Sequence, residues 1–300
     1  MRWWLPALGI ASFLAVAVVP AWAFEIETAR GPVEIASPPK RVAVYDIPAI
    51  DTLHHLGVEI AGVPDNLFIP ELAGIVDKAQ TVGTLFEPDL EALSALAPDM
   101  IIVGARTAGQ LGSVSQVAPA IDMTLTGANM IEEARAHTLA YGKLFEREQA
   151  AGNLVAELDQ AVERAKRAVS GKGNALIVMT SGPKISVYGP GSRFGWLHRE
   201  LGLAAAAETA VAAQHGEAVS FEFIRETNPD WLLVLDRAAA IGEGKENARM
   251  TLDNELVAAT TAWRKQQVIY LPATDFYIGA GGIGATVRVL DALAHGFSAH

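Results

Sequence analysis

The chain has 300 residues, 51% of them hydrophobic and 19% charged, which is ample material for one large or two ordinary folded units and excludes a disordered chain. A formal net charge of −11 with no basic run argues against nucleic acid as a partner, and confines any anion site to a local cluster of basic side chains. Cysteine is absent, so disulfides, a thiol nucleophile and a lipid-modified cysteine are excluded.

Residues 1–23 combine Arg2, an uncharged apolar stretch and Ala21-Trp22-Ala23, the small-residue pattern of a secretory signal. A cleaved signal and a periplasmic mature protein are expected; an uncleaved anchor is the alternative, because the stretch is long enough to span a bilayer. From Phe24 the sequence predicts a small hairpin turning at Gly31-Pro32, a strand over Arg41 to Tyr45, and a helix over Ala49 to Leu56 closed by Gly57. Strand and helix signals alternate from there to Phe145, which predicts an α/β lobe over 24–145. Arg147 to Val169 is rich in alanine and charge, with Leu154, Val155, Leu158, Ala161 and Val162 at helical spacing. At 1.5 Å per residue such a helix reaches about 36 Å, enough to link two lobes through 146–171. A second lobe over 172–300 follows, with strands at NALIVMT and KISVYG and a helix in RFGWLHRELGL.

One pattern occurs twice. DLEALSALAPDMIIVGAR and SFEFIRETNPDWLLVLDR share a glutamate, a Pro-Asp and a terminal arginine at a constant offset: Glu91 and Glu222, Pro98 and Pro229, Asp99 and Asp230, Arg106 and Arg237. Each copy predicts a short amphipathic helix, a stop at Pro-Asp, and an apolar strand covered on both faces. Ligands of open α/β sheets bind beyond the carboxyl ends of the strands, where both arginines fall. Two similar α/β lobes would thus present two guanidiniums to one cleft.

Gly279, Gly281 and Gly284 spell G-x-G-x-x-G, but too little chain follows for the second strand and acidic residue of a dinucleotide site. The glycines instead predict a tight turn before the last helix, with Tyr277 at a strand end beside the cleft. H-E-x-x-H, G-x-S-x-G and the P-loop pattern are missing, and no catalytic residue is assigned. Trp196 is expected in the core rather than the cleft. His215 stands apart from His54, His55, His295 and His300, because it lies in the loop AAQHGEAVS directly before the second copy of the repeat.

The segments RVAVYDIPAIDTLHHLGV, VGTLFEPDLEALSALAPDMIIVGAR, SRFGWLHRELGL, the QHG loop, NPDWLLVLDR and DFYIGAGG together resemble, over nearly the whole mature chain, the periplasmic substrate-binding proteins that deliver ferric siderophores to ABC importers, in the class whose lobes are bridged by one long helix. Three arginines with a loop histidine and a tyrosine before glycines resemble the branch that binds ferric catecholates, including tetradentate ones. The resemblance implies that Arg106, Arg193 and Arg237 line the cleft, that His215 and Tyr277 bind iron directly, and that Glu91 and Glu222 dock on the membrane permease. It also implies a monomeric carrier, not an enzyme, with no intrinsic cofactor and with Fe(III) arriving inside the siderophore complex. A same-fold carrier of a hydroxamate siderophore, haem or cobalamin stays open as an alternative, as does, more remotely, an exported enzyme.

Overall fold

A computed structural model describes residues 24–207, 216–243 and 247–299, so the signal segment and His215 lie outside the described residues. Strands β1 (Phe24–Thr28) and β2 (Gly31–Ile35) form the expected antiparallel hairpin. Its turn is Ala29-Arg30, not Gly31-Pro32. Gly31 pairs with Thr28 and is already the first residue of β2, where its φ of +99° closes a two-residue loop.

The first sheet contains β3 (Val42–Val44), β4 (Gly62–Val63), β5 (Gln80–Thr81), β6 (Met100–Val103) and β7 (Ala120–Asp122), in the order β5-β4-β3-β6-β7 with every pair parallel. Helix α1 (Ile47–His55) follows β3 and starts two residues earlier than the sequence suggests, because Asp46 caps it by accepting from the Ala49 amide at 3.1 Å. Helix α2 (Leu90–Leu96) precedes β6, and helices α3 (Met130–Leu144) and α4 (Glu148–Val169) carry the chain to the second sheet.

That sheet contains β8 (Asn174–Ser181), β9 (Lys184–Tyr188), β10 (Ala204–Ala205), β11 (Glu217–Val219), β12 (Trp231–Asp236) and β13 (Val268–Tyr270). Its order is β11-β9-β8-β12-β13, with β10 paired beside β8. Strands β8, β12 and β13 run parallel, whereas β9 is antiparallel to β8. The helices of this part of the chain that bear on the cleft and its support are α5 (Trp196–Leu201), α6 (Phe221–Thr227), α7 (Ala273–Tyr277) and α8 (Ile283–Ser298).

The sequence repeat is a structural repeat. Helices α2 and α6 both end in a left-handed residue, Ala97 (φ 49°) and Asn228 (φ 45°), immediately before the proline that cannot continue a helix. The next residue ties down the neighbouring strand: Asp99 accepts from the Lys40 and Arg41 amides at 2.7 and 3.0 Å ahead of β3, and Asp230 accepts from the Asn174 amide at 3.0 Å at the start of β8. The apolar runs then split between two faces. Met100 and Ile102 join one core cluster and Ile101 and Val103 another, just as Trp231, Leu233 and Leu235 separate from Leu232 and Val234.

The two lobes are held by more than α4. Its stripe Leu158, Ala161, Val162, Ala165 and Val169 is buried in the second lobe's core, and α8 packs along it. Ile278 and Ala285, from the C-terminal segment, are buried in the first lobe's core. Asp51 of α1, fully buried, accepts from the Gly284 and Ala285 amides at the N-terminus of α8 at 2.7 and 3.1 Å, while Thr52 Oγ1 accepts from the Ile283 amide at 3.1 Å. Arg288 bridges Asp51 and Asp275 at 3.1 and 2.8 Å. Trp196 is a core residue, 1% exposed and beside Phe276.

Candidate ligand-binding cleft

A cleft of about 840 Å³ opens beyond the carboxyl ends of β6 and β12, where the order of both sheets predicts a ligand site. Arg106, Arg193, Arg237 and Tyr277 all line it and all are half-buried. Apolar walls are supplied by Phe68, Leu85, Phe86, Leu125 and Met130, and Phe86 is 59% exposed.

Each arginine comes from a different piece of backbone. Arg106 follows β6 and is steadied by Thr107, whose buried hydroxyl donates to the Leu85 carbonyl at 2.6 Å. Arg193 sits on the loop after β9, which folds back through the Ser192 hydroxyl donating to Gly189 O at 2.7 Å. Its guanidinium lies 4.7 Å from the ring of Phe194, itself stacked on Phe276 at 4.6 Å. Arg237 directly follows β12 as the first residue of a short helical turn.

All three converge on Tyr277. Arg106 Nη2 and Arg193 Nη2 each donate to its carbonyl at 3.2 Å, and Arg237 Nε donates to its hydroxyl at 3.4 Å. A guanidinium has five N–H donors, so among the described residues these single bonds leave most of the donor capacity open to the cleft. Burial holds Arg106 below the usual guanidinium range, with Arg193 adding repulsion, and burial also lowers Arg193. An anion entering between them would relieve that repulsion. Tyr277 is not at a strand end as expected: β13 stops at Tyr270, and Pro272 opens the single turn of α7, whose last residue is Tyr277. The turn is clamped from below through Asp275 and Arg288.

Asp46 escaped the sequence reading. It stands directly after β3, the same topological position that marked Arg106 and Arg237, and it lines the cleft. Burial raises its carboxyl to about 7, an effect that the Ala49 amide and the nearby Arg106 only partly offset. Glu243 adds a second carboxylate at the exposed rim. Glu91 and Glu222 are both exposed in the first turns of α2 and α6, away from the cleft lining. Among the described residues no three histidine or acidic side chains converge on a metal position, and no helix is long and apolar enough to cross a membrane.

Comparison with known proteins places this arrangement. The profile of the family described as "Periplasmic binding protein" matches residues 42–274. The chain is similar to the petrobactin-binding protein YclQ of Bacillus subtilis, with 33% identity over 86% of this chain and 82% of that one. It is similar to the ferric-anguibactin-binding protein FatB of Vibrio anguillarum, with 30% identity over 91% and 87%. The crystal structure of the periplasmic catecholate-siderophore binding protein VctP from Vibrio cholerae superposes with a TM-score of 0.83 at 30% identity, covering 93% of this chain and all of that one.

Proposed function

This chain belongs to the periplasmic binding protein family, and we propose that it captures a ferric siderophore of catecholate type in the periplasm and hands it unchanged to an inner-membrane ABC permease. The observation that carries this reading is the convergence of Arg106, Arg193 and Arg237 on one half-buried point. Three guanidiniums repel a bare cation and attract an anionic chelate, and their planar donors match catecholate oxygens. Each charge-assisted bond contributes roughly 1.5–3 kcal/mol before desolvation is deducted. The names of the relatives, which specify petrobactin, anguibactin and catecholates, support the same ligand class.

A tetradentate siderophore leaves two of six iron positions open, and the Tyr277 phenol together with an imidazole from His215 would fill them. A bound hard cation favours the phenolate. Fe(III) is cargo here, brought in by the siderophore, and no resident cofactor or turnover is part of the proposal. The bridge over 146–171, between lobes 24–145 and 172–300, would permit only modest closure of a monomer. Contacts outside α4 support that view: Glu200 of α5 accepts from the Ile131 amide of α3 at 3.0 Å, and Arg199 donates to the Ala128 carbonyl at 2.8 Å.

Fluorescence titration of the mature protein with a ferric tetradentate catecholate tests the reading. Tight binding is expected, weakened in His215→Ala and Tyr277→Phe with a shifted charge-transfer band in both. No quenching by the catecholate, with a response to haem, cobalamin or a hydroxamate instead, would overturn it. Glu91 and Glu222 complete the proposal as docking points for basic permease residues; replacing both with alanine should impair uptake and leave ligand affinity unchanged.

A further inference from the structure

Three basic side chains account for an anionic ligand, but they do not account for the acid placed among them. Asp46 divides its two oxygens. Oδ2 caps α1 through the Ala49 amide, while Oδ1 lies over Gly104, so close that a Cβ there would collide with it. Only glycine leaves room for the carboxyl at this point, and among the described residues Oδ1 has no hydrogen-bond partner. An N-cap needs one oxygen and works as well with asparagine, so capping alone does not call for an ionisable group half-buried in a ligand cleft.

We propose that Asp46 is a specificity-determining contact, whose Oδ1 accepts a hydrogen bond from a protonated amine on the siderophore's linker while the catecholate oxygens face the arginines. The proposal rests on the ferric-catecholate reading and adds the chemistry of the ligand's backbone. Charge distribution supports it. Around Asp46 stand Arg106 after β6, Asp122 on β7 and the buried hydroxyl of Tyr141 on α3, so its electrostatic neighbours include one cation, one further acid and a neutral phenol. Arg106, moreover, is turned to the Tyr277 carbonyl, and among the ion pairs of the described residues none joins it to Asp46. A cationic donor entering from the ligand would supply what the protein withholds. The raised carboxyl pKa points the same way, because such a donor would stabilise the ionised form that burial disfavours.

The test uses two synthetic ferric bis-catecholates of equal length, one with a secondary amine in the linker and one with a methylene there. Wild-type protein is expected to bind the amine probe about tenfold or more tightly than its neutral partner at pH 7.5, consistent with a charge-assisted bond. Asp46→Asn keeps the cap, as its unchanged fold by circular dichroism would verify, and should reduce that ratio to within about twofold. Glu243→Gln should leave the ratio intact. Equal binding of both probes by the wild type overturns the proposal while sparing the ferric-catecholate reading, and so does a ratio that survives Asp46→Asn or collapses with Glu243→Gln. Failure of both probes to bind overturns the underlying reading and this inference together.

Discussion

The first lobe meets the cleft with the half-buried pair Arg106 and Asp46, whereas the second meets it with the half-buried Arg193 and Arg237 and carries its acid, Glu243, only at the exposed rim. Both lobes use the same unit to place one arginine: helix, left-handed stop, Pro-Asp, strand, arginine. They differ at the neighbouring strand. In the first lobe β3 runs straight into α1 and its cap, Asp46; in the second, β8 turns back through β9, and the loop beyond delivers Arg193. The shared unit thus makes a cleft, and the departure from it makes the cleft electrically lopsided. An anionic ligand should accordingly seat its charge mainly on the second lobe.

The largest break of this comparison is Arg193→Ala with Arg237→Ala, which should weaken ferric-catecholate binding by more than about a hundredfold, against about tenfold for Arg106→Ala, as measured by quenching titration. Next in size is the joint between the lobes. Asp51→Ala removes the acceptor for two α8 amides and one partner of Arg288, and should cost about 3 kcal/mol in urea unfolding. The strand ties sharpen the likeness instead: Asp99→Ala and Asp230→Ala should each cost about 1–2 kcal/mol, and a large inequality would mean that the repeat is not used alike in the two lobes. The last effect, read as a pH dependence rather than as a loss, separates the acid from the bases. Because burial raises Asp46 in the folded state, its native carboxyl keeps a proton that the unfolded chain has already lost, so stability falls as pH rises from about 4 to about 7. Asp46→Asn should therefore raise the melting temperature at pH 8 and not at pH 4.

The repeat was legible because its punctuation is chemical: a proline that ends a helix, an aspartate that ties a strand, and apolar runs too short and continuous for anything but covered strands. Arg106 and Arg237 could be placed in the cleft from that pattern alone, and Tyr277 beside it from the glycines that follow, whereas Arg193 needed the resemblance, since a loop arginine carries no periodic signal. The hairpin turn was misplaced because Gly31 closes the loop rather than sitting at its centre. Tyr277 was put on a strand because the short turn of α7 is set by Pro272 and the Asp275–Arg288 clamp, not by periodicity. The Asp51–Arg288 joint could not be read at all: its partners are 237 residues apart and each looks like an ordinary polar residue on an amphipathic helix.

The most direct test of the lopsided cleft is a crystal structure of the mature protein with a ferric tetradentate catecholate. The account predicts catecholate oxygens within hydrogen-bond distance of both Arg193 and Arg237, and iron next to the Tyr277 hydroxyl. Catecholates held only by first-lobe residues, with the second-lobe guanidiniums unengaged, would contradict it.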